Sequence, residues 1–165
     1  MALFSKNREE RILLAPTDGR VIPLESVPDA AFAQKMIGDG FAILPTGGQI
    51  CSPADGVVEN VSQTGHAVTL LTGDGLELLI HVGIDTVSLG SAPFSVCVHA
   101  GQAVKGGDVL LQADLEMIRA ASLPTDIPVL VTNRECLASL VIECRDCIGG
   151  QTAAATYRKV KVKEA

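Results

Sequence analysis

The 165-residue sequence predicts an all-β domain, an antiparallel β-sandwich or barrel with a duplicated β motif and one or two short helical turns. From residue 12 onward, short apolar runs are separated by Asp-Gly, Gly-Gly and Pro, and 16 glycines and 8 prolines favour many tight turns. Residues 16–21 resemble residues 53–58, and each segment is followed by a Gly-Asp-Gly, which indicates a duplicated β unit. With 47% hydrophobic residues, residues 12–165 are expected to form one domain.

The elements are predicted in chain order. Residues 1–11 are polar and charged and predict a mobile arm, in which Leu3 and Phe4 offer too little apolar area for stable membrane binding. Asp29 is placed to cap a short helical turn within residues 28–37, and the alternative is that this segment plugs the end of the sandwich. A second brief helix is predicted at 115–121. The apolar runs are residues 13–15, 21–23, 41–44, 67–71, 76–82, 86–89, 94–98, 109–112 and 128–133, and the alternating residues 159–163 predict a half-exposed or edge strand.

Charge and targeting signals narrow the function classes. The formal charge of −6 offers no broad basic surface for nucleic acid and suits a basic protein partner. No apolar run approaches the ~20 residues that span a bilayer, and the N-terminus lacks a signal-peptide core, so a cytoplasmic protein is expected. The five cysteines are expected to be reduced thiols, and the Cys144-x-x-Cys147 pair lacks the second ligand pair of a structural zinc site.

Two strand-like runs, 67–71 and 76–82, flank a Gly-Asp-Gly turn and predict a β-hairpin with a histidine at each far end. A two-residue loop at 73–74 places His66 directly opposite His81, and a loop at 74–75 places them diagonally on the same face. An odd-length loop is expected to separate the two rings onto opposite faces, and the histidines are then unrelated. The even loop places Val68, Leu70, Glu77 and Leu79 on the histidine face and turns Ala67, Leu71, Leu76, Leu78 and Ile80 toward the core.

Three chemistries are compatible with this hairpin. A phosphoryl relay needs a nucleophilic imidazole, a second donor and nearby backbone N–H groups, which His81, His66 and the turn 82–84 can supply. Zinc hydrolysis has His66, His81 and Asp85 as a conceivable ligand set, as in lysostaphin-like peptidases. A lipoyl- or biotinyl-like carrier needs a lysine on a hairpin tip, where Lys105 is the candidate. A purely structural β domain is the remaining alternative.

Residues 79–87, preceded by Thr64-Gly-His66 and by residues 52–56, strongly resemble the glucose-type enzyme IIA family of the bacterial phosphoenolpyruvate-dependent sugar phosphotransferase system. The resemblance runs from about Ala15 to Asn133 and includes residues 27–40 and 128–133. It implies a phosphotransferase component that accepts a phosphoryl group on His81 from phospho-HPr and passes it to a cysteine of a sugar-specific IIB domain. His66 then hydrogen-bonds the phosphoryl group and Thr64 orients the His66 ring.

The same resemblance places Gly83 and Asp85 in the phosphate environment and implies no cofactor or metal. It implies an apolar docking surface formed by Phe32, Met36, Ile37, Leu79 and Val87. Some family members also regulate enzymes or transporters, so such partners belong to the expectation. Many members carry an aromatic residue at the position of Ser62, which indicates a less aromatic docking surface here. No IIB signature is recognised, so a stand-alone IIA is expected.

Overall fold

A computed structural model describes residues 10–161, and the predicted arm lies outside these residues except for Glu10 and Arg11. The strands in this range are β1 (Arg11–Leu14), β2 (Gly19–Pro23), β3 (Asp39–Pro45), β4 (Gln49–Cys51), β5 (Gly56–Val61), β6 (Ala67–Thr72), β7 (Glu77–His81), β8 (Phe94–Val96), β9 (Ala103–Val104), β10 (Val109–Ala113), β11 (Ile127–Val131), β12 (Leu137–Ile142), β13 (Asp146–Cys147) and β14 (Ala153–Lys159). The helices are α1 (Ala30–Ala33) and α2 (Leu115–Ala120), with 3₁₀ turns at Leu24–Ser26, Thr86–Leu89 and Arg134–Cys136.

All paired strands are antiparallel and form three sheets, which confirms the predicted all-β class. The largest sheet has eight strands in the order β13-β2-β3-β11-β7-β6-β5-β9. Two three-stranded sheets, β1-β14-β12 and β4-β10-β8, contribute Leu13, Ile50, Leu110 and Tyr157 to the inner hydrophobic cluster. The inner face of the large sheet contributes Val21, Phe41, Leu70 and Ile80 to that same cluster.

The two similar segments noted in the sequence begin β2 and β5, and each of these strands is second from an edge of the large sheet. Both segments place a glycine against a neighbouring strand. A Cβ at Gly19 would lie 2.0 Å from the Leu44 carbonyl oxygen, and one at Gly56 would lie 2.4 Å from that of Leu71. Only a residue without a side chain fits either position, which explains why Asp-Gly recurs there.

A second, smaller hydrophobic cluster lies on the outer face of the large sheet. Leu24, Val27 and Phe32, from the segment between β2 and β3, pack there with Ile22, Ala42, Ile84 and Leu130. The segment is held by α1, whose N-cap Asp29 accepts hydrogen bonds from the backbone N–H groups of Ala31 and Phe32. The capped helical turn predicted within residues 28–37 is therefore present.

Other predicted elements differ in their limits. The last strand spans Ala153–Lys159, so placing it at residues 159–163 was wrong in position, and residues 162–163 lie outside the described range. The run 86–89 forms a 3₁₀ turn. The helix at 115–121 is confirmed as Leu115–Ala120, with Asp114 accepting the N–H of Met117.

Candidate functional site

The β6–β7 hairpin has a three-residue loop, which neither of the two even registers predicted. Ala67 is paired with His81 and Leu71 with Glu77, so residues 73–75 form the loop. The Thr72 hydroxyl accepts the N–H of Leu76 and also contacts the Asp74 carboxylate, while Gly75 has φ +93°. These side-chain contacts and the left-handed glycine stabilise the longer loop.

The change of register corrects the predicted faces of β6. Val68 and Leu70 are fully buried in the inner core, whereas Leu71 is 40% exposed on the outer face and Ala67 is half-buried there. The prediction for β7 is confirmed, because Leu78 and Ile80 are buried and Leu79 lies on the outer side.

The imidazole rings of His66 and His81 nevertheless lie next to each other. Their centroids are 4.9 Å apart with an interplanar angle of 79°. His66 precedes the first residue of β6 and follows Gly65, which has φ +82°, so the alternation of faces along the strand does not fix the direction of its side chain. The expectation that an odd-length loop would separate the rings was therefore wrong.

His81 is oriented by the turn that follows it. Its Nδ1 lies 2.7 Å from the carbonyl oxygen of Gly83, to which it donates as Nδ1–H, and this leaves the lone pair of the neutral ring on Nε2. The Phe32 ring packs at a centroid distance of 5.1 Å. Burial lowers the pKa of His81, against the opposing effects of the Gly83 carbonyl and of Asp29 and Asp85. The ring is consequently neutral near pH 7.

His66 is likewise held through its Nδ1. Its Nδ1 contacts the hydroxyl of Thr64 and lies 3.2 Å from the hydroxyl of Ser62. Burial lowers the pKa of His66, and the nearby His81 lowers it further. The contact of Ser62 was missed in the sequence, where a hydroxyl four residues before a histidine in a turn was the available signal.

The remaining predicted site residues differ in backbone conformation and in exposure. Gly83 has φ +79°, and its N–H donates to the carbonyl of Asp126. Asp85 has φ +59° and precedes the 3₁₀ turn, where its carbonyl accepts the hydroxyl of Ser88. Of the five predicted docking residues, Met36 is 68%, Val87 57% and Ile37 39% exposed, whereas Phe32 is buried and Leu79 is half-buried in the outer cluster.

The zinc alternative is not supported by the arrangement of side chains in residues 10–161. Within residues 10–161 no three His, Cys, Asp or Glu side chains are grouped so as to hold a metal ion. The third histidine, His99, is exposed and its Nδ1 contacts the Ala100 carbonyl.

The two cysteines of the Cys144-x-x-Cys147 pair differ in exposure. Cys147 is buried, its thiol donates to the Thr17 carbonyl, and burial raises the pKa of this thiol, whereas Cys144 is exposed. No helix in the described part of the chain is long and apolar enough to cross a membrane.

A β-sandwich that presents two neutral, hydrogen-bonded imidazoles beside exposed apolar side chains has the features of a phosphoryl-carrier domain. The family model for the phosphoenolpyruvate-dependent sugar phosphotransferase system, EIIA 1, matches residues 11–137, and the chain belongs to this family. It is thus a phosphotransferase component of a sugar transport system. The matches support neither a zinc peptidase nor a lipoyl- or biotinyl-type carrier.

Individual relatives agree with this assignment. The chain is 44% identical over 144 residues to a PTS system glucose-specific EIIA component of Staphylococcus epidermidis, covering 86% of this chain and 87% of the relative. It is 47% identical over 138 residues to a glucose-specific EIICBA component of Streptococcus pneumoniae, covering 84% of this chain and 19% of that longer protein. Among solved structures it is similar to glucose permease IIA from Mycoplasma capricolum, with a TM-score of 0.83, 32% identity and coverage of 89% and 95% of the two chains.

Proposed function

We propose that His81 is the phosphoryl-carrying residue, which accepts the group from the phosphohistidine of HPr and donates it to a cysteine of a sugar-specific IIB domain. The observation that carries this proposal is the 2.7 Å contact between His81 Nδ1 and the Gly83 carbonyl, because it leaves the Nε2 lone pair free for attack. The bond between Nε2 and phosphorus forms as the bond between phosphorus and the donor imidazole breaks. The Nδ1–H group of His81 remains hydrogen-bonded to the Gly83 carbonyl throughout the transfer.

His66 is proposed to hold the transferring group without being phosphorylated. Its ring lies edge-on to that of His81, and its Nδ1 is engaged by hydroxyl groups, so its Nε2 is the nitrogen available to a phosphoryl oxygen. A fixed donor at that point stabilises charge that develops on the oxygens during transfer. Thr64 acts through His66 by fixing its ring.

The surroundings of the pair suit a protein partner that is basic and partly apolar. Asp29 and Asp85 exert an electrostatic effect on His81, and the exposed side chains of Met36, Ile37 and Val87 are on the segments that flank it. Burial of such apolar groups gives affinity, while the carboxylates favour positively charged partners and speed encounter. HPr and the IIB domain are the proposed occupants in turn, and the proposed compartment is the cytoplasm.

Phosphorylation in a reconstituted system tests the proposal. With phosphoenolpyruvate, enzyme I and HPr, the protein should gain one acid-labile, alkali-stable phosphate, and His81→Gln should abolish it. His66→Gln should still accept the phosphate but pass it to IIB poorly, because the donor that steadies the transferring group is lost. His99→Gln is the matched control and should behave as the unaltered protein. Undiminished phosphate on His81→Gln would refute the assignment.

A further inference from the structure

The turn between β5 and β6 fixes the position of Ser62. Its N–H donates to the carbonyl of Ala67 at 2.9 Å, and its own carbonyl accepts the N–H of Gly65 at 2.9 Å. The N–H of Ala67 donates in return to the Ser62 hydroxyl oxygen at 3.1 Å. The hydroxyl is thus placed by the main chain rather than by free rotation of an exposed side chain.

The proton on that hydroxyl has one acceptor close by. The Ser62 oxygen already accepts the N–H of Ala67, which polarises the hydroxyl and strengthens its O–H as a donor to His66 Nδ1, 3.2 Å away. The Thr64 hydroxyl also contacts Nδ1, and within residues 10–161 it makes no other hydrogen bond, so it can either donate to this nitrogen or accept from it. Thr64 alone therefore leaves the tautomer of His66 open.

We propose that Ser62 is a positioning residue whose O–H donates to Nδ1 of His66 and holds the neutral ring in the tautomer protonated at Nε2. This inference rests on the proposed function for its purpose, since a phosphoryl oxygen needs Nε2–H as a donor.

The tautomer of the unphosphorylated protein tests the inference directly. Long-range ¹H–¹⁵N correlation spectra at pH 8 distinguish protonated from unprotonated ring nitrogens. The protein should show His66 mainly protonated at Nε2, and Ser62→Ala should shift the tautomer ratio about fivefold toward Nδ1–H, the equivalent of one hydrogen bond of about 1 kcal/mol. Ser62→Thr should restore the ratio, and Ser62→Cys, with a weaker donor, should give a smaller shift in the same direction.

Ser139 is an exposed serine on β12, so Ser139→Ala is the matched control. It should leave the His66 signals unchanged. An unaltered tautomer ratio in both Ser62→Ala and Ser62→Cys would overturn the inference, as would failure of Ser62→Thr to restore it. The second readout is transfer to IIB, which Ser62→Ala should slow more than acceptance from HPr. If the ratio shifts but His81 never carries phosphate, the proposed function fails while the role of Ser62 in setting the tautomer stands.

Discussion

Gly83 occupies a position that a side chain cannot share. Its φ of +79° lies in the left-handed region, and an added Cβ would lie 2.4 Å from Cγ2 of Thr86 and 3.2 Å from the carbonyl oxygen of Pro124. Thr86 is fully buried and its hydroxyl donates to the Val82 carbonyl at 2.6 Å, so it cannot turn away without losing that bond. Gly83→Ala should therefore displace the turn that orients His81.

The cost of Gly83→Ala has two parts. The left-handed backbone costs about 1–2 kcal/mol for a residue with a Cβ, and forcing a methyl group into an occupied core site costs about 1–3 kcal/mol. The free energy of unfolding should thus fall by about 2–5 kcal/mol. Gly101→Ala is the control, because Gly101 has φ +90° but no atom of residues 10–161 lies within 4 Å of the added Cβ. It should lose only the backbone part, about 1–2 kcal/mol.

Urea unfolding of the two variants measures this difference, and single-turnover phosphorylation by phospho-HPr measures the effect on His81. Movement of the Gly83 carbonyl weakens its hydrogen bond to Nδ1, so acceptance should slow about fivefold for about 1 kcal/mol. Gly101→Ala should accept phosphate at the original rate. Equal urea midpoints for the two variants would refute the steric reasoning, and an unchanged rate in Gly83→Ala would refute the role of the carbonyl.

Three further outcomes are expected. Burial lowers the pKa of both paired histidines in the folded protein. Below about pH 6.5 the unfolded chain therefore binds more protons than the folded protein does. The free energy of unfolding should thus decline as the pH falls from about 6.5 toward the folded-state pKa values. Asp29→Ala removes the cap of α1 and should lower the free energy of unfolding by about 1 kcal/mol. Tyr157→Phe removes the 2.7 Å hydrogen bond to the Asp74 carboxylate and should cost about 1.5–3 kcal/mol without slowing phosphorylation, because Asp74 lies at the opposite end of the hairpin.

Urea midpoints between pH 5 and 8 test the first outcome, and replacing both histidines by Gln should flatten the acid side of the curve. A curve of unchanged shape would contradict it. For the cap, Glu59→Ala on the exposed side of β5 is the comparison, and an equal loss in both variants would argue against capping. For Tyr157→Phe, urea unfolding measures the loss of stability and single-turnover phosphorylation measures phosphate uptake. Slowed uptake would contradict the expectation and would show that the hairpin tip and the histidines are coupled.

The all-β class and the histidine pair could be predicted because they depend on local signals. Turn residues separate the strands, and the segments around His66 and His81 resemble a known family closely. The cap of α1 was also predictable, since Asp29 precedes the helix by the usual spacing. Short strands such as β9 and β13 have two residues each, too few to produce a pattern in the sequence.

The hairpin register could not be predicted from turn residues alone. Both two-residue loops were compatible with Gly-Asp-Gly, and the loop that forms also contacts Tyr157, which is 83 residues from Asp74 in the chain and is brought near only by folding. His66 lies outside the regular strand pairing, so the rule of alternating faces gave the wrong direction for its ring. The role of Ser62 likewise depends on the main-chain path of a turn.

The large sheet has one hydrophobic cluster on its inner face and a second on its outer face, whereas most small domains have a single core. The cluster beneath the large sheet forms the main core, whereas the layer formed by Leu24, Val27 and Phe32 contacts the His81 ring through Phe32. Leu24, Val27 and Phe32 are themselves buried, but Met36 and Ile37 follow on the same segment and are exposed. Substitutions at these two positions can therefore change the surface that the segment presents without removing buried area from either cluster.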